Sequence, residues 1–208
     1  MFRHLRINLK DLMKFRMFME YAASITGQEL VYDSISRNLG ISIHTMQSWI
    51  GVLTAGGIIH LAQPYSEGSI AIRIVKRPKI YFWDTGLACY FSKSYDADTL
   101  RVGYMGGHMA ETFIVNDIMK TCSNNTEEAG FYYCRDSEKY EIDLVMLRNT
   151  ELTLIECKSG MSYDQTDVKS FSRLGRSAYR IEPSCLMCLT DKAYPLKDGV
   201  YALPVSSI

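Results

Sequence analysis

Apolar positions in the first quarter of the chain recur at helical spacing. The run from Ile7 to about Ser24 places apolar residues three or four positions apart, and Gly27 follows as a stop signal. The segment VYDSISRNLG predicts a short helix that ends at Gly40, and ISIHTMQSWIGVLTAGG predicts another with Ser42 as its N-cap. Two helices joined by a tight turn form a helix-turn-helix. The β-like runs IIHLA, IAIRIV and KIYFW follow it, so residues 1–83 are predicted to form a winged helix-turn-helix module.

The predicted wing holds the densest basic stretch of the chain, RIVKRPK, which contains Arg73, Lys76, Arg77 and Lys79. Basic side chains on a wing suit contacts with DNA phosphates. The predicted recognition helix has no Arg or Lys among its outward positions, which are His44, Thr45, Gln47 and Ser48. DNA binding and protein contact therefore both remain open for this module.

From Asp84 onward, helical and strand-like patterns alternate. DTGLACYF predicts a short helix with Asp84 as N-cap, and GGHMAETFIVNDIMKTC predicts a longer helix. The runs GFYYCR, KYEIDLVMLR and ELTLIECK predict strands, YDQTDVKSFSRLG a helix, and CLMCLT and GVYALPV two closing strands. This order predicts one layered α/β domain over residues 84–208.

Composition and charge restrict the possible functions. Lys+Arg and Asp+Glu both total 23, so any nucleic-acid binding must come from a local basic patch. No apolar run reaches the roughly 18 residues of a membrane span. The six scattered cysteines predict free thiols in a reducing cytoplasm. The phosphate-binding pattern GxxxxGK[ST] does not occur, so no ATP site is expected in this chain.

Carboxylates stand at the ends of two apolar strands. In ELTLIECKSG, Glu156 and Lys158 share one face of the predicted strand. If Leu147 faces Leu152 across the hairpin, Asp143 lies opposite Glu156. Like charges directly across a ladder are destabilising, so such a pair shares a proton or binds a cation. We therefore predict a divalent metal site here, with a plain surface ion pair between Glu156 and Lys158 as the alternative.

Glu111 is a charged residue on an apolar helical stripe. Isoleucine or valine stands three, four and seven positions after it. A buried, unpaired carboxylate costs several kcal/mol on the usual scales, so it needs a partner. If this helix packs on the face of the hairpin that carries Asp143, Glu111 reaches the same site. His108 stands one turn before it.

The ordered set of a helical Glu, then Asp, then E-x-K resembles the PD-(D/E)XK nuclease fold. The matching residues are Glu111, Asp143, Glu156, Cys157 and Lys158, although Ile142 replaces the proline of the motif's name. With the winged helix and the blocks KIYFWDTGLACYF and GGHMAETFIVNDI, the chain resembles the DUF4143 region of a prokaryotic AAA-type ATPase family. In that family the region follows the ATPase module.

The resemblance implies a function and a set of roles. Asp143, Glu156 and the carbonyl of Cys157 would hold Mg²⁺ or Mn²⁺, Lys158 would assist catalysis, and Glu111 would be the helix acid. The expected fold class is α+β: a winged helix followed by a restriction-endonuclease-like α/β domain with a mixed central sheet. Candidate phosphate or DNA contacts are Arg73, Lys76, Arg77, Arg135, Gln165 and Lys169.

The expected function is Mg²⁺-dependent hydrolysis of DNA phosphodiesters. One alternative is a catalytically inactive DNA- or protein-binding module of an ATPase, with the ATPase module as its partner in cis. A second alternative is a winged-helix transcriptional regulator, although a regulator has no use for the acidic residues. No membrane partner is expected.

Overall fold

A computed structural model describes residues 9–66, 77–136, 138, 140–174 and 177–208. Two helix ends are as the sequence predicted. Gly40 ends the second helix in the left-handed conformation, and Ser42 caps the third helix, since its Oγ accepts the backbone N–H of Thr45 at 3.0 Å. The elements of the first part are α1 (Leu9–Ser24), β1 (Gln28–Glu29), α2 (Tyr32–Leu39), α3 (Ile43–Ala55), β2 (Ile59–Pro64) and β3 (Lys79–Phe82). The segment IAIRIV, which was predicted as a strand and contains Arg73, lies outside the described residues, as does Lys76.

The second part begins with three helices, of which only the first and third were predicted. Asp84 caps the first of them, since the backbone N–H of Leu87 donates to Asp84 Oδ1 at 2.8 Å. The helices are α4 (Thr85–Ser92), α5 (Ala97–Val102) and α6 (Met105–Asn124). No helix in the described ranges is long and apolar enough to cross a membrane.

The strands of this part include every predicted one and two further strands of two residues each. They are β4 (Gly130–Arg135), β5 (Glu141–Arg148), β6 (Glu151–Cys157), β7 (Arg180–Ile181), β8 (Cys185–Cys188), β9 (Tyr194–Pro195) and β10 (Tyr201–Pro204). The described elements are therefore mixed α/β, as expected.

The α-helix predicted for YDQTDVKSFSRLG is wrong. Turns lead only to a 3-10 helix at Lys169–Leu174. Asp167 Oδ2 accepts the backbone N–H of Asp164, and Asp164 Oδ1 accepts that of Thr166. Side-chain bonds of this kind offer the backbone an alternative to helical hydrogen bonds.

One mixed sheet runs through both parts of the chain. Its order is β1-β3-β2-β4-β5-β6-β8-β10-β9, and β7 pairs with β6. Strand β2 joins β4 in parallel, with Gln63 opposite Tyr132 and Pro64 opposite Tyr133. The segments on either side of residue 83 therefore share backbone hydrogen bonds, and this junction positions the site described next.

The two faces of the β5–β6 hairpin pack against different elements. Leu144 and Ile155 belong to the core that α6 covers, whereas Val145 and Leu154 pack in a separate core with Phe171 of the 3-10 segment. For Glu111 to reach the site, the predicted alternation required its helix to pack on the face of the hairpin that carries Val145. The structure places that helix on the opposite face.

Candidate functional site

The hairpin has the predicted register. Leu147 stands opposite Leu152, and the last pair of the ladder is one position before Asp143 and Glu156. At this point the backbone N–H of Cys157 donates to Asp143 Oδ2 at 2.8 Å. The two carboxylates therefore lie at the same end of the hairpin, as the register required.

A β-bulge explains how Asp143 meets helix α6. Two steps along β4, from Tyr132 to Cys134, correspond to three steps along β5, from Val145 to Ile142. Strand β5 therefore carries an extra residue in this stretch, and a bulge of this kind re-aims a side chain. Ile142 remains in the core of Val145, while Asp143 turns towards α6.

Lys79 is the centre of the acidic cluster. Its Nζ lies 2.7 Å from Glu111 Oε1, 2.5 Å from Glu141 Oε1 and 3.8 Å from Asp143 Oδ1. Only 2% of Lys79 is exposed. Tyr81 OH also donates to Glu111 Oε1, at 2.6 Å. Glu111 thus has the partners that its burial demanded.

Lys79 belongs to the basic stretch of the predicted wing, but the structure buries it in the acidic cluster. Lys79 is the first residue of β3, all of whose residues are buried. Alternate residues of a strand share a face, so Lys79 and Tyr81 both meet Glu111. The sequence KIYF already indicated that Lys79 is buried, because the lysine at the start of this strand shares a face with the tyrosine two positions later.

Glu156 and Lys158 form the predicted ion pair, but not on the surface. Lys158 Nζ donates to Glu156 Oε1 at 2.8 Å. Glu156 is only 7% exposed, whereas 30% of the Lys158 side chain is exposed. The second oxygen, Glu156 Oε2, is buried and has no hydrogen-bond partner among the described residues. An unsatisfied buried acceptor loses its hydration without compensation, which marks this oxygen as a candidate ligand atom.

These groups open into a cleft of about 460 Å³. Five carboxylates, two lysines, one arginine and His108 line it, so two negative charges are uncompensated when the acids, lysines and arginine are ionised and the histidine is neutral. The lining residues are Gly27, Gln28, Glu29, Lys79, His108, Glu111, Arg135, Glu141, Asp143, Glu156 and Lys158. The sequence identified three of the five acids, and it missed Glu29 and Glu141.

Burial and mutual repulsion strengthen proton binding by the acids. Burial first, and then the charge of Asp143, raise the pKa of Glu111 to about 7 and that of Glu156 to about 8. Burial likewise raises the pKa of Asp143. Burial opposes the charge on Lys79, but the attraction of Glu111 and its neighbours prevails and raises the pKa of Lys79. Shifted pKa values of this kind concentrate at functional sites.

The donor set fits a divalent ion held by two carboxylates, and it does not fit a larger cluster. In the described ranges, no three His, Cys, Asp or Glu side chains are placed to hold a metal ion. Glu111 Oε1 already accepts two hydrogen bonds, from Lys79 and Tyr81. Asp143 and the unpartnered oxygen of Glu156 remain, and Mg²⁺ commonly binds through one or two carboxylates with water completing its shell.

Arg135 lines the cleft as predicted, but it is already paired. Its guanidinium contacts Glu29 at 3.0 Å and Glu141 at 3.8 Å. Arg77 is exposed, and its backbone carbonyl accepts a hydrogen bond from Tyr133 OH at 2.5 Å. These contacts join the start of β3 to β4 at the edge of the cleft.

Gln165 and Lys169 are not at this cleft. Both line a separate hollow of about 590 Å³ beside Val168 and Phe171. Lys169 Nζ also lies 5.6 Å from the centre of the Tyr140 ring. Any phosphate contact of these two residues is therefore made away from the acids.

Comparison with known families divides the chain between residues 98 and 106. Residues 106–208 match the family described as Domain of unknown function (DUF4143). This part of the chain is a DUF4143 domain. Residues 3–98 match a second family, described as Domain of unknown function (DUF8612). No curated protein and no solved structure shows a significant match.

The cleft is shared between the two matched regions. Glu111, Asp143 and Glu156 belong to the DUF4143 domain, whereas Glu29 and Lys79 belong to the DUF8612 region. The sequence placed every catalytic and metal-binding candidate within residues 84–208. The structure adds a carboxylate and the central ammonium from the preceding region, because β1 and β3 lie beside α6.

Proposed function

We propose that the chain is a metal-dependent phosphodiesterase module that acts on DNA, with a PD-(D/E)XK-type site in the DUF4143 domain. The observation that carries this proposal is Glu156 Oε2, which is buried beside Asp143 and Lys158 with no hydrogen-bond partner in the part of the chain that the structure describes. A buried carboxylate oxygen without a hydrogen-bond partner destabilises the metal-free fold, and a bound cation removes that destabilisation.

Four residues have defined roles in this proposal. Asp143 and Glu156 would hold Mg²⁺ or Mn²⁺, which activates water and stabilises charge on the cleaving phosphodiester. Lys158 would position a phosphate oxygen or neutralise developing charge, since its ammonium is the more exposed member of its ion pair. The backbone N–H of Cys157 orients Asp143. The Cys157 carbonyl remains a proposed third ligand.

The proposal assigns DNA binding to the first region, read as a winged helix. The element order α1-β1-α2-α3-β2-β3 and the sheet order β1-β3-β2 support that interpretation. His44, Gln47 and Ser48 of α3 are exposed, as predicted. Because α3 offers no basic side chain, phosphate contacts would fall to Arg77 and the basic residues before it.

A second candidate function is a catalytically inactive DNA- or protein-binding module that works with an ATPase module in cis. One observation favours it: lysines already engage the acids. Lys79 contacts Glu111, Glu141 and Asp143, and Lys158 binds Glu156. Acids that are paired with lysines in this way stabilise the folded domain without a bound metal ion.

Calorimetric titration with Mn²⁺ tests the proposal. We expect the wild type to bind Mn²⁺ and Asp143→Asn to lose at least about tenfold in affinity, because one of two carboxylate ligands becomes neutral. Asp98→Asn is the matched control, since the Asp98 side chain is 90% exposed on α5.

Cleavage assays on linear, nicked and branched DNA then separate the two candidates. Metal binding with cleavage that Asp143→Asn and Lys158→Met abolish supports the hydrolase. Metal binding without cleavage of any substrate favours the binding module. Absence of Mn²⁺ binding by the wild type, with DNA present, refutes the metal-dependent mechanism.

A further inference from the structure

We infer that a hollow on the face of the sheet opposite α6 is a subsite for single-stranded DNA, in which a base lies on an apolar floor and a phosphate contacts Lys169. This inference names the substrate class of the proposed function and rests on that function for the choice of DNA. The hollow consists of two adjoining spaces of about 590 Å³ and about 530 Å³, and Lys169 and Ser172 line both. The two spaces together are called the Lys169 hollow below.

The floor of the larger space is apolar. Leu154, Val168 and Phe171 line it, and all three belong to one buried core. Gln165 lines the same space and is exposed. Sites of this size with an apolar lining and few polar groups are typical of ring-sized ligands. A nucleobase is such a ligand, since its faces stack on apolar surfaces and its edge can exchange hydrogen bonds with an amide side chain.

Lys169 supplies a free positive charge where the two spaces meet. Among the described residues it forms no ion pair, and its ammonium lies 5.6 Å from the centre of the Tyr140 ring. The two acids that line the larger space are already paired. Glu182 contacts Arg180 at 2.5 Å, and Asp198 lies 3.8 Å from the ammonium of the residue before it. An unpaired cation beside an apolar floor complements a nucleotide, which joins an anionic phosphate to an apolar ring.

The smaller space adds flat surfaces. The Arg173 guanidinium lies 3.9 Å from the centre of the Tyr140 ring. Asp136 and Glu138 hold it there, at 3.5 Å and 2.6 Å. The charge of Arg173 is thus compensated, but guanidinium planes and tyrosine rings are the surfaces on which unpaired bases stack. Because the bases of a duplex stack on one another, this arrangement favours a single strand.

The Lys169 hollow adjoins the proposed catalytic cleft at two points. Tyr140 lines the hollow and Glu141 lines the cleft, and Cα atoms of consecutive residues are about 3.8 Å apart. On β6, Leu154 lines the hollow and Glu156 lines the cleft. These two residues share one face of the strand and stand roughly 7 Å apart along it. One DNA strand therefore spans both sites.

Binding of an oligonucleotide in EDTA tests the inference without any metal. The probe is a fluorescein-labelled oligothymidylate of about eight nucleotides, and fluorescence anisotropy measures its affinity for the full chain at increasing salt. We expect Lys169→Gln to weaken binding at least about fivefold and to reduce the slope of log affinity against log salt by about 0.7, because one phosphate contact is lost. Lys120→Gln is the matched control, since it removes an exposed lysine of α6, on the opposite face of the sheet.

A second probe tests the apolar floor. It has the same number of phosphates, but abasic sites replace the thymidines. The wild type should bind it at least about fivefold more weakly than the oligothymidylate, because the contacts of the bases are lost. Lys169→Gln should weaken the binding of both probes by the same factor, because Lys169 contacts phosphate.

The outcomes separate this inference from the proposed function. Absence of oligothymidylate binding by the wild type overturns the inference, and so does equal binding of the two probes. Equal affinities of Lys169→Gln and Lys120→Gln also overturn it, and this is the result expected if a protein segment occupies the hollow. The expected losses in EDTA, together with no Mn²⁺ binding in calorimetry, refute the proposed hydrolase but support the DNA subsite.

Discussion

Replacing Lys79 with methionine is expected to destabilise the fold strongly. Methionine keeps the length of the side chain and removes its charge, so Glu111, Glu141 and Asp143 lose their common partner. Breaking a buried pair by removing one member costs about 3–5 kcal/mol. Because the pKa of Glu111 is raised to about 7, protonation of this acid relieves part of the cost near neutral pH. We therefore expect a loss of about 3 kcal/mol at pH 7 and a larger loss at pH 8.5.

Urea unfolding followed by circular dichroism measures this loss at both pH values, in EDTA. Lys197→Met is the matched control, since its side chain is 61% exposed and its ammonium lies 3.8 Å from Asp198. An exposed pair of this kind contributes about 0–1 kcal/mol, so the control should resemble the wild type.

A double-variant cycle with Glu111→Gln separates the ion pair from other effects of the substitution. Lys79→Met should cost much less in the Glu111→Gln background, because the partner charge is already absent. Equal stability of Lys79→Met, Lys197→Met and the wild type at pH 8.5 would refute the argument that Lys79 neutralises the cluster.

Two further outcomes follow from the same structure. In EDTA, the free energy of unfolding should decrease as pH rises from about 4.5 to about 8, because the folded state binds protons on Glu111 and Glu156 more tightly than the unfolded state does. The variant Glu156→Gln should make this decrease shallower. An unchanged pH dependence in that variant would contradict the raised pKa of Glu156. Asp84→Ala should cost about 1 kcal/mol by removing the cap of α4, while Asp98→Asn, measured by the same thermal unfolding, should cost nothing detectable.

The sequence alone determined most of the local structure, because its signals are local. Caps at Ser42 and Asp84 and the stop at Gly40 set helix ends through contacts within a few residues. Period-two alternation and hairpin length fixed the β5–β6 register, which put Asp143 and Glu156 at one end. The apolar stripe of α6 showed that Glu111 needed a partner, although it could not show which one.

Tertiary structure alone decided what surrounds those acids. Lys79 stands 32 positions before Glu111 in the chain, and the parallel pairing of β2 with β4 brings its strand beside the DUF4143 domain. The extra residue of β5 then turns Asp143 towards α6, against strict alternation. Both effects depend on packing between segments that are distant in sequence, so periodicity within one segment carried no information about them. For the same reason, a lysine in a basic stretch became the buried counter-ion of three carboxylates.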